Sequence, residues 1–130
     1  LNLCYARLNL HKKNFDKALS YINEIKEIDN VNYKISKKCI TLEIFYEQNL
    51  IVEAFGYIDN FKHFISNDRL ITDTEKERML KFIKFVNLLL KIKSKNDVSE
   101  LYILKKEIEK IENVYKKKWF FEKIAELKEG

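Results

Sequence analysis

The side chains best suited to chemistry are few and scattered in this sequence. Its two histidines are His11, at the polar end of an apolar pattern, and His63, flanked by Phe61 and Phe64. A solvated helix end accounts for His11, and a boundary position accounts for His63. Cys4 and Cys39 sit inside apolar helical patterns and lack the CxxC spacing of zinc or redox sites, so both read as buried free thiols. A catalytic centre needs converging groups whose acidity or nucleophilicity is tuned by their neighbours. The sequence has no HExxH, no glycine-rich phosphate loop and no GxSxG. Glu107, Glu109 and Glu112 cluster, but a di-metal site in a helical bundle requires Glu-x-x-His pairs on facing helices, and none is present. The expectation is a protein that is not an enzyme and uses no metal and no cofactor.

Lysines offer the other candidate chemistry. Lys91, Lys93 and Lys95 form one cluster; Lys116, Lys117 and Lys118 form a second beside Trp119, where a lysine run and an aromatic ring could grip a phosphate backbone and stack a base. Net charge is +5, but residues 1–65 carry nine Lys/Arg against eight Asp/Glu, and residues 66–130 carry sixteen against twelve. Only three of the 25 basic residues are arginines, the type suited to bidentate phosphate and base contacts. The excess is mild and interleaved with acids, so nucleic acid is the disfavoured partner. Solvated helix ends, with Trp119 closing the core, are the favoured reading of both clusters.

These residues must be held by helices. There is no proline and there are two glycines, which leaves no material for the tight turns of an all-β chain or for a flexible linker. At 130 residues a single domain with its own core is expected. No apolar run reaches the about 18 residues of a membrane span; Phe85 to Leu90 is interrupted by Asn87 and bounded by Lys84 and Lys91. The chain opens on Leu1 with no signal-peptide pattern and reads as a piece of a longer protein whose address is hidden; for this piece alone the cytoplasm is the favoured compartment.

Apolar residues recur at helical spacing almost throughout. Leu1, Cys4, Tyr5 and Leu8 form one stripe; Phe15, Ala18, Leu19, Ile22, Ile25 and Ile28 form the next, after the polar His11 to Asn14. A second pair follows: Ile35, Cys39, Leu42 and Tyr46, widened by Ile40, Ile44 and Phe45, then Ile51, Ala54, Phe55, Ile58, Phe61 and Ile65. A third hairpin has a longer first helix over 73–93, a turn over 94–97, and a second helix over 98–113 on Leu101, Leu104, Ile108 and Ile111. A separate terminal helix over 115–128 is expected after a break near Asn113. Thr72 with Glu75, and Asp97 with Glu100, have the spacing of a capping box at two helix starts. Gly56, inside a helix, is expected to allow close packing by a neighbour.

Adding 36 to Phe15, Ala18, Leu19, Ile22 and Ile25 gives Ile51, Ala54, Phe55, Ile58 and Phe61, alanine falling on alanine. Both alanines are expected to be buried where the two helices of a hairpin meet. The string Asn14-Phe15-Asp16-Lys17-Ala18-Leu19, with its weaker copy Leu50-Ile51-Val52-Glu53-Ala54-Phe55, resembles the loop and second-helix opening of the tetratricopeptide-repeat family. Lys13 and Asn49 stand where that family has a turn glycine, and its tryptophan and closing proline have no counterpart.

The resemblance implies an all-α fold of six to seven helices, antiparallel hairpins stacked as a short right-handed superhelix with units of about 1–30, 31–68 and 72–113. It also implies a protein-interaction module that holds a peptide or partner helix against the first helix of each hairpin. The partner itself stays unidentified. Carried over by spacing, the exposed face would bear Leu3, Arg7, Leu10 and His11 in the first unit, and Ser36, Cys39, Glu43, Tyr46 and Glu47 in the second. Lys81, Lys84 and Phe85 in the third hairpin are the next candidates. The alternative function is a helical nucleic-acid-binding module built on the lysine clusters around 91–95 and 116–118.

Overall fold

Apolar side chains at intervals of three and four residues need a helical backbone to share a face, and the chain folds accordingly. The computed structural model describes residues 2–24 and 30–129. It contains seven α-helices: α1 (Asn2–His11), α2 (Phe15–Asn23), α3 (Val31–Glu47), α4 (Ile51–Asn67), α5 (Asp73–Lys95), α6 (Leu101–Lys110) and α7 (Lys117–Glu129), with a 3-10 turn at Val98–Glu100. Among the described residues there is no strand, and no helix is long and apolar enough to cross a membrane. The protein is all-α. Leu1, Ile25 and Ile28 of the expected stripes lie outside the described residues. The chain divides into two compact units, Leu1–Tyr57 and Ile58–Gly130, the boundary falling within α4.

In the first unit α1 packs against α2, and both pack against α3. The core is Leu3, Ala6, Ala18, Ile22, Ile40 and Ile44, with Leu10, Phe15, Leu19 and Tyr21 packed around it. Ala18 and Ala54 are fully buried, as their matched positions suggested. The stripe expected for α1 is corrected: Leu3 and Ala6 face inward, while Cys4, Tyr5 and Leu8 are exposed. Cys4 is therefore an exposed thiol, whereas Cys39 is buried. The reason is that α1 is apolar on nearly every side, so spacing alone cannot choose its inner face. The stripes of α3 and α4 are where they were expected, with Phe45, Ile51 and Phe55 half-buried and the rest in the interior.

The turns of this unit repeat in backbone detail. After α1, Asn14 N–H donates to Asn9 C=O (2.7 Å) and Lys13 N–H to Leu10 C=O (3.0 Å); after α3, Leu50 N–H donates to Phe45 C=O (2.8 Å) and Asn49 N–H to Tyr46 C=O (3.1 Å). Each pair is the double bond by which a helix ends on a left-handed residue, and that residue is Lys13 (φ 63°) or Asn49 (φ 60°). These are the two positions at which a turn glycine was missed. Every donor and acceptor in the second turn stands 36 residues after its counterpart in the first.

In the second unit Phe120 of α7 lies edge-on to Phe82 (5.7 Å between ring centres) and Phe85 (5.8 Å) of α5, and Tyr115 meets Phe82 at 5.2 Å. Thr72 caps α5, its Oγ1 accepting from Glu75 N–H at 3.2 Å. α5 runs to Lys95 and ends on left-handed Asn96 (φ 54°). The Asp97 cap takes another form than expected: Oδ1 accepts from Ser99 N–H (3.2 Å) and Ser99 Oγ (2.6 Å), opening a 3-10 turn before α6. Those two bonds hold the Asp97 carboxyl below the usual carboxylate range. The break before the last helix is present, but α6 stops at Lys110 because Ile111 is extended (φ −100°, ψ 122°). Ile111 therefore leaves the helical stripe and is half-buried. Gly56 is corrected as well: a Cβ there would meet nothing within 4 Å, so no neighbour packs close against it.

Candidate functional site

Arg7 and His11 are exposed on α1 and Leu10 is half-buried beside them. Arg7 Nη2 donates to Ser36 Oγ at 3.0 Å, which ties α1 to α3 through two residues that spacing had assigned to one face. Glu47, at the end of α3, is half-buried. At that same end Gln48 Nε2 donates to Asp16 Oδ1 at 2.8 Å and links the end of α3 to the start of α2.

Glu43 and Tyr46 are corrected. Each is 2% exposed, so neither offers a surface to a partner. Glu43 lies in the unbroken buried run of residues 39–44, which has no solvent-facing side, and Tyr46 is buried just beyond it, after the half-buried Phe45. Cys39 lies in that same stretch, and Leu3 of α1 belongs to the core with Ala6, Ala18 and Ile22. The accessible part of the expected face is thus Arg7, Leu10, His11, Ser36 and Glu47.

Farther along the unit, Tyr57 meets Phe45 edge-on at 5.7 Å, and the Lys38 ammonium sits 5.4 Å from the Tyr57 ring centre. Burial pushes the Tyr57 phenol up, partly offset by the hydrogen bond it shares with Thr41. Burial, and then the neighbouring Lys37, push the Lys38 ammonium down. Tyr57 stands 36 residues after Tyr21, and Thr41 stands 36 after Tyr5, whose ring lies 5.2 Å from that of Tyr21. The contact between the two helices of a hairpin therefore recurs with its chemistry changed from ring–ring to hydroxyl–hydroxyl.

The second unit holds an open cleft of about 580 Å³ between the first turns of α5 and the segment joining α6 to α7. Thr74, Arg78 and Lys81 line one side, with Ile111, Val114 and Lys117 on the other. Arg78 stacks on Tyr115 at 4.9 Å and pairs with Glu75 at 3.4 Å. Spacing along α5 could have shown that Thr74, Arg78 and Lys81 share a face, but nothing in the sequence indicated that the connector crosses it. In the lysine cluster beside this cleft, Lys117 Nζ donates to Ile111 C=O at 2.8 Å. Trp119 is half-buried and meets Phe120 at 5.3 Å, so its ring is engaged by the core. The remaining candidates separate: Lys84 is exposed, Lys81 half-buried and Phe85 buried.

Among the described residues no three His, Cys, Asp or Glu side chains converge as a metal site. Neither a family model, nor a curated protein, nor a solved structure matches this chain.

Proposed function

We propose that the chain is a non-enzymatic interaction module of tetratricopeptide-like build, and that a segment of a partner protein lies along α1 and α3 on the side bearing Arg7, Leu10, His11, Ser36 and Glu47. The observation that carries this reading is the Arg7–Ser36 hydrogen bond, which joins two first helices through the side chains that the resemblance assigns to a shared binding face. Recurrence of the turn hydrogen bonds at an interval of 36 residues supports the repeat on which that assignment depends. The face mixes one cation, one carboxylate, an imidazole and a half-buried leucine. It suits a segment with an apolar anchor flanked by charge, where a few residues carry most of the affinity.

The test is site-specific photo-crosslinking in the source cell, with the reactive group placed at His11 and, as a control, at the exposed Glu109 of α6. A discrete product is expected from position 11 and not from 109, and Arg7→Glu should abolish it. Loss of an anchoring arginine lowers interface affinity by about 2 kcal/mol, or roughly thirtyfold. Equal products from both positions, or a product indifferent to Arg7→Glu, would remove the site from this face.

A further inference from the structure

We infer that the strip of α1 bearing Cys4, Tyr5 and Leu8 is a docking face for one more helical hairpin of the same 36-residue build, joined ahead of α1. The inference concerns a strip that adjoins the proposed partner face, and it does not depend on the partner reading. Its basis is the internal repeat. Residues 40 and 44 stand 36 positions after Cys4 and Leu8 and are both buried, while Thr41, 36 after Tyr5, is buried with its hydroxyl bonded to Tyr57 of its own hairpin. Ile40 and Ile44 are covered by the α1–α2 hairpin, through Leu3, Ala6, Ala18 and Ile22. The first copy of the same strip has no such cover: Cys4 is exposed, Tyr5 is 42% exposed and Leu8 47%.

The two strips differ little in character. α1 carries one formal charge, Arg7, in ten residues, although 35% of the whole chain is charged. An uncharged strip with exposed tyrosine and leucine is the composition of a covered helix face and not of a solvated one. In a stack of repeats each hairpin buries its free face against the next. The unit that covers α3 is the one preceding it in the chain, so the same relation places the missing cover ahead of α1.

A second copy of this chain does not fit the role. The surface that would have to be offered, Leu3, Ala6, Ala18 and Ile22, is in every copy already beneath its own Ile40 and Ile44. The occupant is therefore a further hairpin that presents small and branched-aliphatic residues at those spacings.

Cys4 is a built-in reporter of this face, and the buried Cys39 is its internal control. The experiment extends the full chain by a duplicate of residues 1–36 placed ahead of Leu1, with Cys4→Ser in the duplicate only. Thiol labelling with an aromatic disulfide reagent then follows the original Cys4. Its rate is expected to fall about tenfold or more, as for a group that reacts only after local opening, and Leu8→Glu in the original α1 should restore it. Helicity by circular dichroism should rise with the added residues. An unchanged labelling rate would overturn the inference. So would a duplicate that stays unfolded, because it would have failed to find the face on which this sequence folds at residues 40 and 44. Sedimentation of the unextended chain supplies the remaining check: self-association that protects Cys4 would assign the face to a second copy instead.

Discussion

Lys13 holds a backbone conformation, φ 63°, that costs an L-residue with a β-carbon about 1–2 kcal/mol. The turn keeps it because the two reverse hydrogen bonds that close α1 need that conformation. Glycine removes the steric cost and adds about 0.5–1 kcal/mol of conformational entropy loss. Lys13→Gly should therefore stabilise the chain by about 0.5–1 kcal/mol in urea unfolding, with a smaller gain for Asn49→Gly because asparagine visits this region more readily. A destabilising Lys13→Gly would mean that the lysine side chain contributes more than its backbone costs. Lys123 makes the opposite kind of argument. It is 3% exposed and its Nζ lies 2.9 Å from Glu126 Oε2, whose side chain is 53% exposed. The desolvation cost of the pair thus falls almost wholly on the lysine. Replacing a buried ion by an apolar group of like volume is commonly neutral or stabilising, whereas removing one partner weakens the compensation of a charge that stays buried. Lys123→Met should leave the urea midpoint unchanged or raised, and Glu126→Ala should lower stability by about 1–2 kcal/mol. The reverse order would show that the ammonium is held mainly by partners other than Glu126.

Helices differ in how far their apolar pattern determines their setting. α4 carries Ala54, Ile58, Phe61 and Ile65 on one stripe among polar residues, and that stripe is buried. α1 has apolar residues on nearly every side, so the same periodicity was satisfied by Cys4, Tyr5 and Leu8 while the fold buries Leu3 and Ala6. What selects the inner face is the shared core that Leu3 and Ala6 form with Ala18, Ile22, Ile40 and Ile44, a property of three helices together. Glu43 and Tyr46 were misplaced for a related reason. Spacing from Ala54 identifies a helix face but not whether other elements cover it. Caps were legible because they are local: Thr72 meets Glu75 N–H as its spacing implied, and Asp97 starts the next segment one residue earlier than a capping box would. The left-handed turns were legible only as missing glycines, since Lys13 and Asn49 carry no sign of their backbone angle. Gly56 is the clearest departure within a helix. It sits on the exposed side of α4, where an added Cβ would meet open space. Gly56→Ala should raise the thermal midpoint through a gain of about 0.8–1 kcal/mol in helix propensity. No gain, or a loss, would point to a close neighbour on that side and return glycine to a packing role.

Charge is a property of the whole molecule, and here its sign is the one a nucleic-acid binder would need. The +5 excess is concentrated in residues 66–130, with sixteen basic and twelve acidic residues, and the stretch from Arg78 to Lys95 carries six basic residues with no acid among them. Phosphate binding releases counterions in proportion to the number of cations that meet the backbone, so affinity depends on clustered and available lysines. The cluster at 116–118 is depleted by its own fold: Lys117 Nζ is given to the Ile111 carbonyl, and Trp119, the ring that would stack a base, is half-buried on Phe120. Stacking on an accessible aromatic is worth about 1–3 kcal/mol per base, and the half-buried Trp119 ring offers only part of its surface for it. A single-stranded oligonucleotide should consequently bind this chain no more tightly than about 10⁻⁴–10⁻⁶ M at physiological salt, the range of non-specific contacts. Fluorescence anisotropy across a salt series measures this directly. Replacing Lys116, Lys117 and Lys118 together by glutamine should weaken this background modestly and change the salt slope by less than the about 2 that three phosphate-contacting lysines would give. Nanomolar binding that weakens steeply with salt, with a slope reduced by about 2 in the triple variant, would instead establish the lysine-based module and displace the protein-partner reading.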